Sequence, residues 1–219
     1  MKLVLSWSSG KDSAWTLHVL RRGGVAVAGL LTSINVAAQR VSMHGVREEI
    51  LRAQAAAAGL PLFTIALPYP CSNEIYEERL REASRTAVAA GFTHVAFGDL
   101  FLEDVRKYRE ERMAGSGLEP LFPLWGQSTA ALAREMIDGG LEAFIACLDP
   151  RVLPRAFIGA AFDRNLLDRL PASVDPCGER GEFHTCVTAG PMFASPIPLV
   201  PGDVVERDGF VFGDLTPQA

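Results

Sequence analysis

The first thirteen residues limit what this chain can fold into. Leu3, Val4 and Leu5 form a short apolar strand, Ser6 to Gly10 supply small residues for a tight turn, and Lys11-Asp12-Ser13 open a helix with apolar positions at Ala14, Leu17 and Leu20. A strand that turns directly into a helix aims backbone N–H groups and a helix N-terminus at one point, which suits a phosphate or pyrophosphate. Lys11 can add a point charge there and Ser13 a hydroxyl. The stretch has neither the glycine spacing of the dinucleotide fingerprint nor the four-residue gap of Walker A. A plain serine-capped glycine turn is the competing reading, and it leaves the Lys11-Asp12 pair unexplained.

Strand and helix signals alternate after this turn. Gly23-Gly24 stops the first helix, and Val25 to Leu31 read as a buried strand. Thr32 to Ser42 look polar and irregular, and a helix follows His44-Gly45-Val46 and ends near Gly59. Pro61 to Leu67 form the next strand, Pro68-Tyr69-Pro70 break it, and Asn73 is placed to cap a long helix over Glu74 to Ala90. Val95 to Gly98 make a fourth strand, with Asp99 just past its C-terminal end, where ligands bind in open α/β sheets. Arg106 and Arg109 share one helical face. Leu118 to Leu124, a helix over Gln127 to Ile137 and a β-rich run over Leu141 to Leu148 complete the alternation.

From Asp149 this rhythm weakens, with one further helix expected from about Asp163 to Leu170 and a closing hairpin around Asp208-Gly209. The expectation is therefore an α/β chain: residues 1–148 a parallel sheet with helices on both faces, residues 149–219 a smaller α/β region. Within the second region lies the polar stretch Asp175 to Thr185, which is either a solvent-facing loop or a segment facing the phosphate turn.

Composition narrows the partners. At 219 residues with 48% hydrophobic content the chain has ample material for a packed core. A formal charge of −5, from 26 acidic and 21 basic residues, argues against a nucleic-acid partner held through its phosphates. Cys71, Cys147, Cys177 and Cys186 are too scattered for a zinc knuckle or redox pair and read as free thiols in a reducing compartment. Cys177, His184 and Cys186 lack the spacing of a common zinc site. No signal-peptide pattern and no long apolar window stand out, so a cytoplasmic protein without a membrane partner is expected, and a homodimer is left open.

The motifs then carry a resemblance. Ser8-Ser9-Gly10-Lys11-Asp12-Ser13 resembles the pyrophosphate loop of ATP-pyrophosphatases, usually Ser-Gly-Gly-x-Asp-Ser, with Ser9 standing where that class has its first glycine. Met43-His44-Gly45 with Gln54-Ala55, Gly98-Asp99 with Arg106 and Tyr108-Arg109-Glu110, and Pro123-Leu124-Trp125 are similar to elements of the diphthine–ammonia ligase family. Asp175-Pro176-Cys177-Gly178-Glu179-x-Gly181-Glu182-Phe183-His184-Thr185 matches that family's most diagnostic motif, and Gly190-Pro191-Met192-Phe193 its usual ending, although Ala189 replaces a frequent aspartate.

The resemblance implies a hydrolase-like nucleotide fold, ATP and Mg²⁺ as cofactors, and a crevice built from both ends of the chain. It places Ser6, Ser8, Ser9, Gly10, Lys11, Asp12 and Ser13 with His44 and Asp99 at the nucleotide, Asp12 and Asp99 at magnesium, and Lys11, Arg109, Glu182 and His184 in catalysis. Glu179 and Glu182 are both candidates for the nucleophile-binding end, and Trp125 for packing or substrate stacking. The implied reaction joins ammonia to a small-molecule or protein-borne carboxylate through an acyl-adenylate, releasing AMP and pyrophosphate. Elongation factor 2 is the expected partner only in an organism that makes diphthamide. A ligase or nucleotide hydrolase acting on another carboxylate, and a non-catalytic ATP- or AMP-binding regulator, are the alternatives.

Overall fold

A computed structural model describes residues 1–218; Ala219, the last residue of the expected second region, lies outside the described residues. Five parallel strands form the first sheet: β1 (Leu3–Ser6), β2 (Val27–Asn35), β4 (Leu62–Leu67), β5 (His94–Ala96) and β6 (Glu119–Leu121). A two-residue strand β3 (Arg40–Val41) adds antiparallel to the end of β2. Leu30 pairs with Leu5 of β1 on one side and Leu62 of β4 on the other, so the parallel strands run β4-β2-β1-β5-β6. The chain thus builds outward from β1 in one direction, then returns to continue on the other side at β5. That reversal opens a crevice at the C-terminal ends of β1 and β5.

The period of two along β1 explains how the sheet is covered. Leu3 and Leu5 join one core with α1 (Lys11–Arg22), α2 (Glu48–Ala58) and α5 (Thr129–Asp138), through Trp15, Leu17, Ile50, Leu51, Leu132 and Met136. Val4 points the other way, into a second cluster with Phe92, Val95, Phe97 and Met113, against which Leu80 and Ala87 of α3 (Asn73–Ala89) pack; Met113 closes α4 (Glu103–Met113). Helices flank both faces, and the fold is that of a Rossmann-like nucleotide-binding domain.

Three local expectations shift. β2 continues to Asn35, through residues that look irregular in the sequence, because it is paired on both sides; buried Thr32 is accommodated by donating its hydroxyl to the Trp7 carbonyl at 2.8 Å. Ser72, not Asn73, caps α3, accepting from the Ile75 amide. The fifth parallel strand spans only Glu119–Leu121, after which Leu124 is buried within a turn.

The second sheet is antiparallel, in the order β8-β7-β10-β9, from β7 (Glu142–Leu148), β8 (Phe183–Ala189), β9 (Leu199–Arg207) and β10 (Phe210–Pro217). The change from one sheet to the other falls between β6 and β7, upstream of residue 148. A 3₁₀ turn at Arg155–Phe157 and α6 (Arg164–Arg169) lie between β7 and β8. The closing hairpin turns at Asp208 (φ 53°) and Gly209 (φ 79°), two left-handed residues of the kind that match strand twist. One continuous core joins the sheets, since Ile145, Leu148, Phe183, Val187 and Val211 belong to the same cluster as Leu3 and Trp15. Asp214 of β10 ties the hairpin back, accepting from Arg40 at 2.9 Å and Arg47 at 2.6 Å; burial opposes its charge, but the two guanidiniums hold its pKa down at about 2. Among the described residues no helix is long and apolar enough to cross a membrane.

Candidate active site

The turn after β1 is assembled from backbone, not from caps. Gly10 enters α1 extended (φ −94°, ψ 171°), and no side chain caps the helix start. A Cβ on Gly10 would lie 2.6 Å from His44 Cε1 and 3.2 Å from the Thr185 carbonyl oxygen, so the position has room only for hydrogen. Ser9 adopts φ 69°, the left-handed region that glycine occupies without cost, at a strain of about 1 kcal/mol for an L residue. It is held there because its carbonyl accepts from the Val187 amide at 3.0 Å and from Gln54 Nε2 at 3.2 Å. The Ser8 and Ser13 hydroxyls sit 3.2 Å apart, and Ser13 Oγ donates to the Gly10 carbonyl at 2.9 Å. Two polar atoms here are buried without a partner: Ser9 Oγ and Asp12 Oδ1.

Strand β8 completes the turn. Lys11 N donates to Thr185 Oγ1 at 3.0 Å, a bond between residues 174 apart in sequence. The fully buried Gln54 side chain joins three segments, donating to the Val187 carbonyl at 2.8 Å and accepting from Trp7 Nε1 at 3.0 Å. His184, the neighbour of Thr185, lies with its ring centre 4.5 Å from that of His44. His44 Nδ1 is 3.3 Å from the Thr185 carbonyl. A carbonyl can only accept, so Nδ1 carries the proton and Nε2 keeps its lone pair. Burial lowers both imidazoles, His184 to about 4 with help from the Lys11 charge, and His44 well below the usual histidine range with help from His184. Both rings are neutral at pH 7.

The Lys11 side chain runs inward. Its Nζ donates to Asp12 Oδ2 at 2.8 Å and to the Cys177 carbonyl, 5.5 and 5.7 Å from the ring centres of Phe183 and Phe162. Burial works against this ammonium, but the Asp12 carboxylate, with Cys177 and Glu179 acting the same way, holds the pKa above the ordinary lysine value.

The 175–182 loop has a different construction. Asp175 accepts from the Cys177 amide at 2.9 Å, the Glu179 amide at 3.3 Å and the Thr129 hydroxyl at 2.6 Å. Buried Glu182 accepts from the Asp175 and Arg180 amides, each at 2.9 Å, so both of its oxygens organise its own loop. Glu179 reaches outward and accepts from the Leu100 amide at 2.8 Å. Burial raises its pKa to about 7, and the Asp12 and Asp99 carboxylates push the same way. Glu179 and Glu182 sit three residues apart in one polar motif, and nothing in their spacing separates these roles.

A third wall comes from the end of β5. Gly98 lies against the start of α1, where a Cβ would be 3.0 Å from the Asp12 carbonyl carbon. Asp99 and Arg109 are paired with each other through two bonds, Arg109 Nη2 donating to Asp99 Oδ1 at 3.0 Å, and the guanidinium stands 4.3 Å over the Phe97 ring. Arg106 lies 4.8 Å from the ring centres of both Phe122 and Trp125. The turn, His44, Glu179 and His184 are therefore brought together, with Asp99 and Arg109 joined through Gly98, while the Glu182 carboxylate faces its own loop. A groove of about 610 Å³ between α1 and α5, lined by Trp15, His18, Arg22 and Arg134, contains none of these groups. Convergent polar groups locate the site better than concavity does here.

Residues 128–208 match the Diphthamide synthase C-terminal domain family, a segment that begins at the Ser128 cap of α5 and takes in β7, α6, β8 and β9. A diphthine--ammonia ligase of Schizosaccharomyces pombe (strain 972 / ATCC 24843) is 32% identical over 95 residues, which is 42% of this chain and 16% of that protein. The chain thus spans a small part of that relative's length. The match and the motifs agree: over part of its length this chain is similar to the diphthine–ammonia ligases, and the matched segment carries the Asp175 to Thr185 motif.

Proposed function

We propose that this protein is an ATP-dependent, amide-forming ligase that activates a carboxylate as its adenylate and passes the acyl group to ammonia, leaving AMP and pyrophosphate. The observation that carries the reading is the bond of Lys11 N to Thr185, which joins an uncapped helix start to the strand bearing His184. An uncapped N-terminus suits the leaving pyrophosphate, and Ser8 and Ser13 add hydroxyls. The unpartnered Asp12 Oδ1 fits a magnesium ligand, while both oxygens of Asp99 are engaged by Arg109. Among the described residues no group of three or more His, Cys, Asp or Glu side chains is arranged to hold a metal, which accords with an ion held by one or two carboxylates plus substrate phosphates. Magnesium, when bound, supplies charge neutralisation at the phosphates.

The chain's own residues do the rest. Arg109, freed from or shared with Asp99, is the cation for the substrate carboxylate or α-phosphate. Neutral His44 and His184 offer lone pairs beside Gly10, acceptors to which an amine nucleophile can donate. Glu179, with its pKa at about 7, is suited to take the proton that ammonia loses on becoming an amide. Diphthine on elongation factor 2 is the substrate to test first where the source organism makes diphthamide. The test is incubation with ATP, Mg²⁺, ammonium and a panel of carboxylates, resolving AMP from ADP. Carboxylate- and ammonium-dependent AMP supports the reading. ATP binding without AMP formation leaves a nucleotide-binding regulator instead.

A further inference from the structure

Lys11 stands where a lysine is expected to address phosphates, yet only 2% of its surface is exposed. Its Nζ lies 5.7 and 5.5 Å from the Phe162 and Phe183 ring centres and bonds the Asp12 carboxylate and the Cys177 carbonyl. We propose that Lys11 is a positioning residue: it latches the 175–182 loop to the start of α1 and acts through Glu179, not through contact with the nucleotide. A buried ammonium is stable only while its acceptors are close, and withdrawing it would leave Asp12 Oδ2 and the Cys177 carbonyl without their donor. The same residue grips the neighbouring strand with its amide, through Thr185 Oγ1. Its hold on Cys177 is passed on in two steps. Asp175 Oδ1 ties the amides of Cys177 and Glu179 to one acceptor, and the Glu179 carboxylate then bridges to the Leu100 amide beside Asp99. Lys11, Cys177, Glu179 and Leu100 thus form a chain of contacts across the crevice. This inference deepens the ligase reading but rests on it only for turnover, because its primary readouts are binding and exchange.

The test compares the full-length protein with K11M. Hydrogen exchange over residues 175–182 should quicken by about tenfold or more in K11M. The Kd for ATP, measured by calorimetry with Mg²⁺, should stay within about threefold, because the lysine does not touch the phosphates. In turnover, the ammonium-dependent rate of AMP formation should fall by about tenfold, because Glu179 is no longer held in place, while the ATP and carboxylate concentrations for half-maximal AMP formation stay within about threefold, a split that a merely structural lysine would not produce. Unchanged exchange in K11M overturns the latch, and so does loss of ATP affinity beyond that limit. Should K11M fail to fold, ¹⁵Nζ-lysine-labelled unsubstituted protein decides: the Lys11 resonance holds its position on ATP addition if the lysine is a latch, and shifts if it is a phosphate ligand. Protein that forms no AMP yet shows the exchange and affinity results loses the ligase reading and keeps the latch.

Discussion

The turn after β1 and the 175–182 loop are both short, polar and glycine-containing, and they are built in opposite ways. The turn has no side-chain cap on its helix and keeps two buried polar atoms, Ser9 Oγ and Asp12 Oδ1, without partners. The loop satisfies itself, with Asp175 and Glu182 accepting from four of its own amides. A segment that has used its hydrogen-bonding capacity is a scaffold, and one that has not is prepared for a ligand. Glu179 is the exception inside the loop, since its carboxylate leaves the loop for Leu100. The difference is one of hydrogen bonding: the turn keeps unpartnered polar atoms, the loop holds its own shape, and Glu179 alone reaches out of it.

The largest effect expected from breaking this contrast is at Gly10. G10V puts a Cβ only 3.2 Å from the Thr185 carbonyl oxygen, and ATP affinity by calorimetry should fall about 100-fold, roughly 3 kcal/mol. Unchanged affinity in a folded G10V protein removes the turn from the nucleotide site.

Next comes the pair of glutamates. E182A strips the acceptors from two buried amides and should lower stability by about 2–4 kcal/mol in denaturant unfolding. E179Q should unfold close to the unsubstituted protein while AMP formation drops about tenfold or more. A stable E182A with poor turnover would reverse the two roles.

A pH series sharpens the same distinction. His184 has a folded pKa of about 4 against an ordinary 6.5, so between these values the unfolded chain takes up a proton that the folded one refuses. Stability is complete above pH 6.5 and lost as pH falls toward 4, by about 3 kcal/mol. His44 adds to this loss, whereas Glu179, raised to about 7, works the other way, favouring the fold as pH falls from 7 toward 4.5. H184Q should therefore flatten the acid limb of a melting-temperature profile, and an unchanged limb would place the imidazole in water.

The smallest effect is at Ser9. S9G relieves the φ of 69° but loosens the unfolded chain, leaving a net gain of about 0.5 kcal/mol in unfolding free energy. A loss of more than about 1 kcal/mol would mean that the hydroxyl, unpartnered in the fold, has a water or ion to satisfy.

Much of this is legible in the residues. Alternation along Leu3, Val4 and Leu5, the glycine stops, and Asp208-Gly209 lead to the parallel sheet and the hairpin through local rules that the fold obeys. What is not legible is long-range. Leu141 to Leu148 read as another β-rich run, and only pairing with β8 and β10 assigns them to the second sheet. Asn73 and Ser72 are both good caps, and the choice is a matter of one residue of phase. Gln54 is visible only as part of a motif, because its value lies in three partners spread from Trp7 to Val187. The inward path of Lys11 depends on a carbonyl 166 residues away.

That distance bears on how the protein is made. The bonds from Val187 to Ser9 and from Lys11 to Thr185 mean that the turn after β1 is shaped by a strand synthesised 174 residues after it. Closing so long a loop is slow compared with forming the strands and helices between. The parallel sheet can gather while the turn is still loose, so the turn takes its final shape late, when β8 docks. A chain that ends before Thr185 lacks the hydroxyl that accepts from the Lys11 amide and the strand whose Val187 amide holds the Ser9 carbonyl, so its turn has neither anchor.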